Sequence, residues 1–150
     1  MSAHGVHRLC QFLRLPLAAL YIAFGALHLA APDSLTPIVP PGVPFPRYVV
    51  LFTGACEIAG GVGLLVPATR RWAGVMLGVY ALCVWPANIY QAFWHVRVAL
   101  LPDSWWYHGP RLALQPALVW WALFAGGVLD WPFRGAGRPP LAGAATDRGA

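Results

Sequence analysis

Of the chain's 150 residues, only 10% are charged and 59% are apolar, and the formal net charge is +5. Together with a mean hydropathy of +0.59, this excludes an ordinary water-soluble surface, where about a quarter of the residues would be charged. The ten arginines stand with no lysine, at the edges of apolar runs and not in one aromatic-interleaved stripe, so the basic balance calls for no nucleic-acid partner.

Four apolar runs follow one another: Leu15 to Ala31, Tyr48 to Val66, Trp72 to Phe93 and Leu112 to Leu129. At about 1.5 Å of rise per residue each reaches across a hydrocarbon core of about 30 Å with help from its flanks. The predicted fold class is therefore all-α, an integral membrane bundle of four antiparallel transmembrane helices (15–31, 48–66, 72–93 and 112–129). Residues 1–14 form a cytoplasmic N-terminal tail, 15–131 the membrane domain and 132–150 a disordered cytoplasmic tail. Arg8, Arg14, Arg70, Arg71, Arg134, Arg138 and Arg148 share one side, against Arg47, Arg97 and Arg111 on the other. The positive-inside rule then puts both termini in the cytoplasm. Trp72, Trp94, Trp105, Trp106 and Trp131 fall at or beyond span ends, as an interfacial belt requires.

The first span lacks a convincing cleavage site, Ala31 being followed by Pro32, and reads as an uncleaved helix. It carries Tyr21, Phe24, Gly25 and His28 on one arc, with His28 near the external end. The Pro32 to Arg47 loop contains six prolines, which precludes a helix and favours an extended or turn-rich cover over the external end of the bundle.

In the second span Glu57 is the only interior acid of any run. A carboxyl there costs about 2.5 to 3.5 kcal/mol on insertion scales, so it needs partners or a proton. Thr53, Gly60, Gly61 and Leu64 share its helical face, a surface small enough for another helix to approach, and Glu57 should point into the bundle. Tyr21 comes out near the same depth and is a candidate hydrogen-bond partner. The bland reading of Glu57, a neutral group knitting helices together, stays open beside the functional one.

The third span holds Trp85-Pro86-Ala87-Asn88, where proline frees the Leu82 carbonyl and bends the helix beside a buried amide, and Asn88, Gln91 and His95 share a face. The Leu101 to Pro110 loop is too aromatic to be simply hydrated and belongs in the interface. The fourth span opens with Arg111 and Gln115 one turn apart, on a stripe continued by Ala122 and Gly126, while Trp120 and Trp121 face lipid. Cys10, Cys56 and Cys83 form no metal-ligand spacing and read as small apolar residues, so no metal and no intrinsic cofactor is expected.

The inward polar groups collect in the external half: His28, Glu57, Asn88 and Gln115, with Arg47 and Arg111 at the rim and Trp85 nearby. One shared pocket explains them better than four accidents. Apolar walls, a few donors and one protonatable acid suit a small amphipathic ligand such as a quinone head group or another lipid.

The ordered set Gly25-Ala-Leu-His28, Ile38-Val-Pro-Pro, Thr53-Gly-Ala-Cys-Glu57-Ile-Ala-Gly-Gly-Val-Gly-Leu-Leu with Pro67, Trp85-Pro-Ala-Asn88-Ile-Tyr and Arg111-Leu-Ala-Leu-Gln115 resembles the DoxX-like family of four-helix membrane proteins and the wider group with the MauE-type proteins. The resemblance covers about Leu15 to Leu129. It implies a multi-pass protein of the bacterial plasma (inner) membrane. Some members are regarded as subunits of thiosulfate:quinone oxidoreductase or as partners of redox enzymes, and many have no assigned reaction.

Two functions from different classes follow. In the first, the chain is the membrane-anchor or quinone-interacting subunit of a redox complex. His28, Arg111 and Asn88 hold the carbonyl oxygens, with Gln115, Arg47 and Trp85 around them, and Glu57 carries protons with Tyr21; a redox partner protein brings the electrons. In the second, the chain is a non-enzymatic membrane scaffold, chaperone or lipid-binding module whose polar groups knit the helices together.

Overall fold

The computed structural model describes residues 3–98 and 101–131, and every regular element among them is helical. In chain order these are α1 (Ala3–Ala30), α2 (Pro32–Leu35), a 3-10 turn (Thr36–Ile38), α3 (Pro46–Leu65), α4 (Arg70–Phe93), α5 (Trp105–Ala113) and α6 (Gln115–Ala125). Three stretches, Arg8–Ala30, Pro46–Leu65 and Arg70–Phe93, are long and apolar enough to cross a membrane. They match the first three predicted spans. The first begins earlier than expected, since helix already covers the region read as an N-terminal tail.

The fourth run departs from expectation. In place of one helix over 112–129 there are two shorter ones, with Leu114 as the joint and the helical spiral ending at Ala125. The break has a covalent cause. Pro116 has no N–H to give the Leu112 carbonyl, and its ring crowds that carbonyl. The spiral is bent there and not lost, because Leu114 N–H reaches Pro110 O at 2.8 Å and Leu118 N–H reaches Leu114 O at 2.9 Å. Ser104 starts α5 by accepting a hydrogen bond from Trp106 N–H. Pro86 does not interrupt α4, which runs unbroken past it.

The proline-rich loop also corrects its prediction, since a helical turn and a 3-10 turn form within it. Pro32 and Pro37 stand at the opening positions of these turns, where an N–H would be unpaired in any case. The expected cover is real: Leu35, Val50 and Val98 form a buried cluster with Leu27, Ile38, Val39 and Leu101 packed around it. This apolar plug closes the α3 N-terminal end of the bundle.

The main helices form a ring, with α1 along α3, α4 along α6, and the pairs joined through α3 with α4 and α1 with α6. The central cluster is Leu17, Ala18, Tyr21, Leu64, Ala73, Leu77, Ala122 and Ala125. Small residues set the helix spacing. A Cβ on Gly61 would meet the Ala18 carbonyl oxygen at 2.9 Å, and one on Gly74 would meet Ala122 O at 2.7 Å and Gly126 Cα at 2.8 Å. Gly74→Val therefore pushes backbone against backbone. It is expected to cost at least about 1–3 kcal/mol, seen as a lower unfolding temperature in detergent; an unchanged temperature would contradict the close α4–α6 approach.

Two arginines end helices. Arg14, only 8% exposed, donates through Nε to Ala125 O at 3.0 Å, and Arg70 Nε donates to Leu64 O at 3.2 Å. Each cation sits where a helix leaves unpaired carbonyls and partial negative charge. Trp121 qualifies a further expectation: it is half-buried, packing against the core and donating from Nε1 to Leu13 O at 2.9 Å, so only part of it faces outward. Trp120 is half-buried, stacked on Phe124 at 5.1 Å, and donates to Trp131 O. The belt tryptophans Trp72, Trp94, Trp105, Trp106 and Trp131 are all exposed. The predictions for residues 132–150, with Arg134, Arg138 and Arg148, lie outside the described residues.

Candidate functional site

Close approach of α1 and α3 creates the first polar centre. A Cβ on Gly25 would lie 2.6 Å from Gly54 O, and one on Gly54 would lie 2.6 Å from His28 Cβ. With no side chains between the two backbones, His28 drops alongside Glu57, Nδ1 to Oε2 being 3.1 Å. The same Nδ1 is 2.8 Å from Phe24 O. A carbonyl only accepts, so this contact calls for a hydrogen on Nδ1. The His28 side chain is 22% exposed against 8% for Glu57, so the imidazole is the more accessible partner of the pair.

Glu57 points inward as the small-residue face predicted, buried on α3 with Gly54, Gly60, Gly61 and Leu64. Across from it, the Tyr80 hydroxyl of α4 is within hydrogen-bonding reach of both Glu57 and Thr53. Tyr21, the partner anticipated from depth, packs edge-on to Tyr80 with ring centroids 6.1 Å apart and borders the centre. Glu57 Oε2 is buried and accepts no aligned hydrogen bond, its approach to His28 being off the line such a bond requires. A buried, unsatisfied carboxyl oxygen is costly, and such groups mark places where an exchangeable proton or another donor belongs.

The second centre lies between α4, α5 and α6. Arg111 donates to Gln91 Oε1 at 2.6 Å and to Asn88 Oδ1, and its guanidinium lies 5.5 Å from the centroid of the Tyr107 ring. Asn88 in turn donates to Gln115 Oε1 at 3.5 Å, and Gln115 Nε2 donates to the Ala81 carbonyl. Asn88, Gln91 and Gln115 are all buried. Gln115 thereby spans the α4–α6 seam just below the kink.

The residues expected to share one pocket thus fall into two centres: His28 with Glu57, and Arg111 with Asn88 and Gln115. Arg47 joins neither. It forms an exposed ion pair with Asp33 at 2.9 Å, tying α3 to α2. Trp85 is half-buried with its Nε1 unpartnered. A third polar group was not anticipated: Asp103 faces His95 at 3.4 Å, Arg97 at 3.6 Å and the buried His108 at 3.7 Å. Among the described residues no three such side chains converge as a metal site needs. Tyr80 and His108 are the functional-type residues that sequence reasoning missed. The signals were faint: Gln91 follows Tyr80 after about three turns on the same face, and His108 shares the stripe of Arg111 and Gln115.

Away from Glu57 but sharing Arg111 with the second centre, an apolar groove of about 450 Å³ runs along α5 and α6, lined by Leu13, Arg111, Leu114, Ala117, Leu118, Trp120 and Trp121. No curated protein and no solved structure matches the chain. A family model does match over residues 3–126, most of the chain, and by that match the protein belongs to the family described as domain of unknown function DUF8561.

Proposed function

We propose that this chain is the membrane subunit of a quinone-linked redox complex, with Glu57, His28 and Tyr80 as its proton-exchanging centre. The observation that carries this reading is the buried Glu57 Oε2, which has no hydrogen bond of its own and lies 3.1 Å from an imidazole that keeps a face outside. A quinol hydroxyl brought to that oxygen would find an acceptor, and the proton would leave through the carboxyl with Tyr80 and His28 as neighbours. Electrons come from a cofactor on a redox partner protein. The resemblance to the DoxX-like family supports the same reading.

In this reading the chain crosses a bacterial plasma membrane four times, α5 and α6 together forming the last crossing. Their joint span, 105–125, is 21 residues, or about 31 Å at helical rise, close to the hydrocarbon core of about 30 Å. The arginine asymmetry supports cytoplasmic termini. The centre then lies under the apolar plug on the external side.

The scaffold reading has its own support in the Arg111 network, where every amide of Asn88, Gln91 and Gln115 is engaged in holding helices together. The two readings assign different centres and are compatible in one molecule. Purification from the native membrane in mild detergent followed by native mass spectrometry tests the proposal. A stoichiometric quinone or a cofactor-bearing protein is expected. Bare protein with only bulk phospholipid would leave the scaffold alone.

A further inference from the structure

We infer that the groove along α5 and α6 is a binding site for one anionic phospholipid, with the phosphate on Arg111 and an acyl chain laid against Leu114, Ala117, Leu118 and Trp121. The argument begins with charge. Arg111 is a part-buried cation whose protein acceptors are two neutral amide oxygens, on Gln91 and Asn88. The acid of the same external segment, Asp103, is already faced by His95, Arg97 and His108. A guanidinium has five N–H donors, and two are used here, so donors and a full charge remain for an anion. Arg111 is itself one of the residues that line the open groove.

Shape selects the rest of the ligand. Arg111, Leu114, Leu118 and Trp121 follow one another at helical spacing, forming a single stripe with Leu13 of α1 as the far wall. From Arg111 to Trp121 the helical rise is about 15 Å, half of a hydrocarbon core of about 30 Å, which is the depth of one leaflet. A cation at the head of a leaflet-deep apolar groove fits a two-part anion, with phosphate at one end and a single chain at the other. The site is separate from Glu57 and His28 and is independent of the redox reading.

The test uses the full chain purified in detergent, with native mass spectrometry scoring retained lipid after exposure to phosphatidylglycerol or phosphatidylcholine of identical chains. Stoichiometric retention of phosphatidylglycerol is expected, at least about tenfold above phosphatidylcholine. Ala117 is exposed in the groove and touches none of the polar network, so Ala117→Phe fills the chain site without disturbing Arg111; it should abolish retention at an unchanged unfolding temperature. Arg111→Lys should keep binding with a reduced preference. Equal retention of both lipids, retention unaffected by Ala117→Phe, or displacement by inorganic phosphate alone would overturn the proposal, the last by showing a phosphate site with no use for the chain.

Discussion

Gly54→Leu is expected to leave little folded protein in the membrane, and Gly54→Ala to leave a folded protein whose polar centre has come apart. At this position even a Cβ would stand 2.6 Å from His28 Cβ and 3.0 Å from Gly25 O. Neither atom is the far end of a flexible side chain, so relief requires α1 and α3 to separate. Overpacking of this kind costs about 1–3 kcal/mol for a small addition, and a whole isobutyl group more, against a total stability of about 5–15 kcal/mol. Separation also draws His28 away from Glu57, because His28 is the residue the new Cβ strikes. Membrane accumulation of the two variants, followed by unfolding in detergent, checks the effect. Wild-type levels of Gly54→Leu would contradict the α1–α3 contact on which the candidate site is built.

Under the proposed redox function, Glu57→Gln is expected to accumulate normally while quinone-linked activity of the proposed complex falls by about two to four orders of magnitude, the usual range for losing a general acid or base. The amide keeps the size and hydrogen-bonding capacity of the acid and cannot carry its proton. Glu57→Leu separates chemistry from architecture. It removes the partner of Tyr80 and His28 as well as the proton, and is expected to lower accumulation besides abolishing activity. A silent Glu57→Gln paired with a damaging Glu57→Leu would make Glu57 a structural hydrogen-bonding residue. Tyr80→Phe extends the series, since it removes only a hydroxyl next to the acid.

Three spans, the inward turn of Glu57 and the small-residue interfaces were legible because each rests on a local rule. Apolar length marks a membrane helix, and small residues mark where helices touch. What the residues did not disclose was relative height. Counting depth from helix ends paired Glu57 with Tyr21 and left His28 near the surface. In the structure α1 stops at Ala30, and His28 meets Gly54, eight residues beyond the start of α3 at Pro46. The two helix ends are thus offset by about 9 Å at helical rise, and His28 lands on the acid.

The same limit explains the divided pocket. Asn88 and Gln115 do face inward, yet Arg111 reaches across to the Gln91 and Asn88 amides and completes a network on the α4–α6 side. Which inward groups meet depends on the order of helices around the ring, and a helical wheel carries no such information. The kink at Leu114 was hidden for a related reason. Prolines at 86 and 116 look alike in an apolar run, but α4 passes Pro86 unbroken and the last run divides just before Pro116.

Infrared difference spectroscopy of the protein in lipid, taken between its oxidised and reduced quinone-loaded states, tests the central claim most directly by watching the Glu57 proton. The account predicts a change in the C=O stretch of a protonated carboxyl that disappears in Glu57→Gln and persists in Gln115→Asn. Identical difference spectra for the wild type and Glu57→Gln would show that this carboxyl takes no part, and the proton-exchanging centre at His28, Glu57 and Tyr80 would be contradicted.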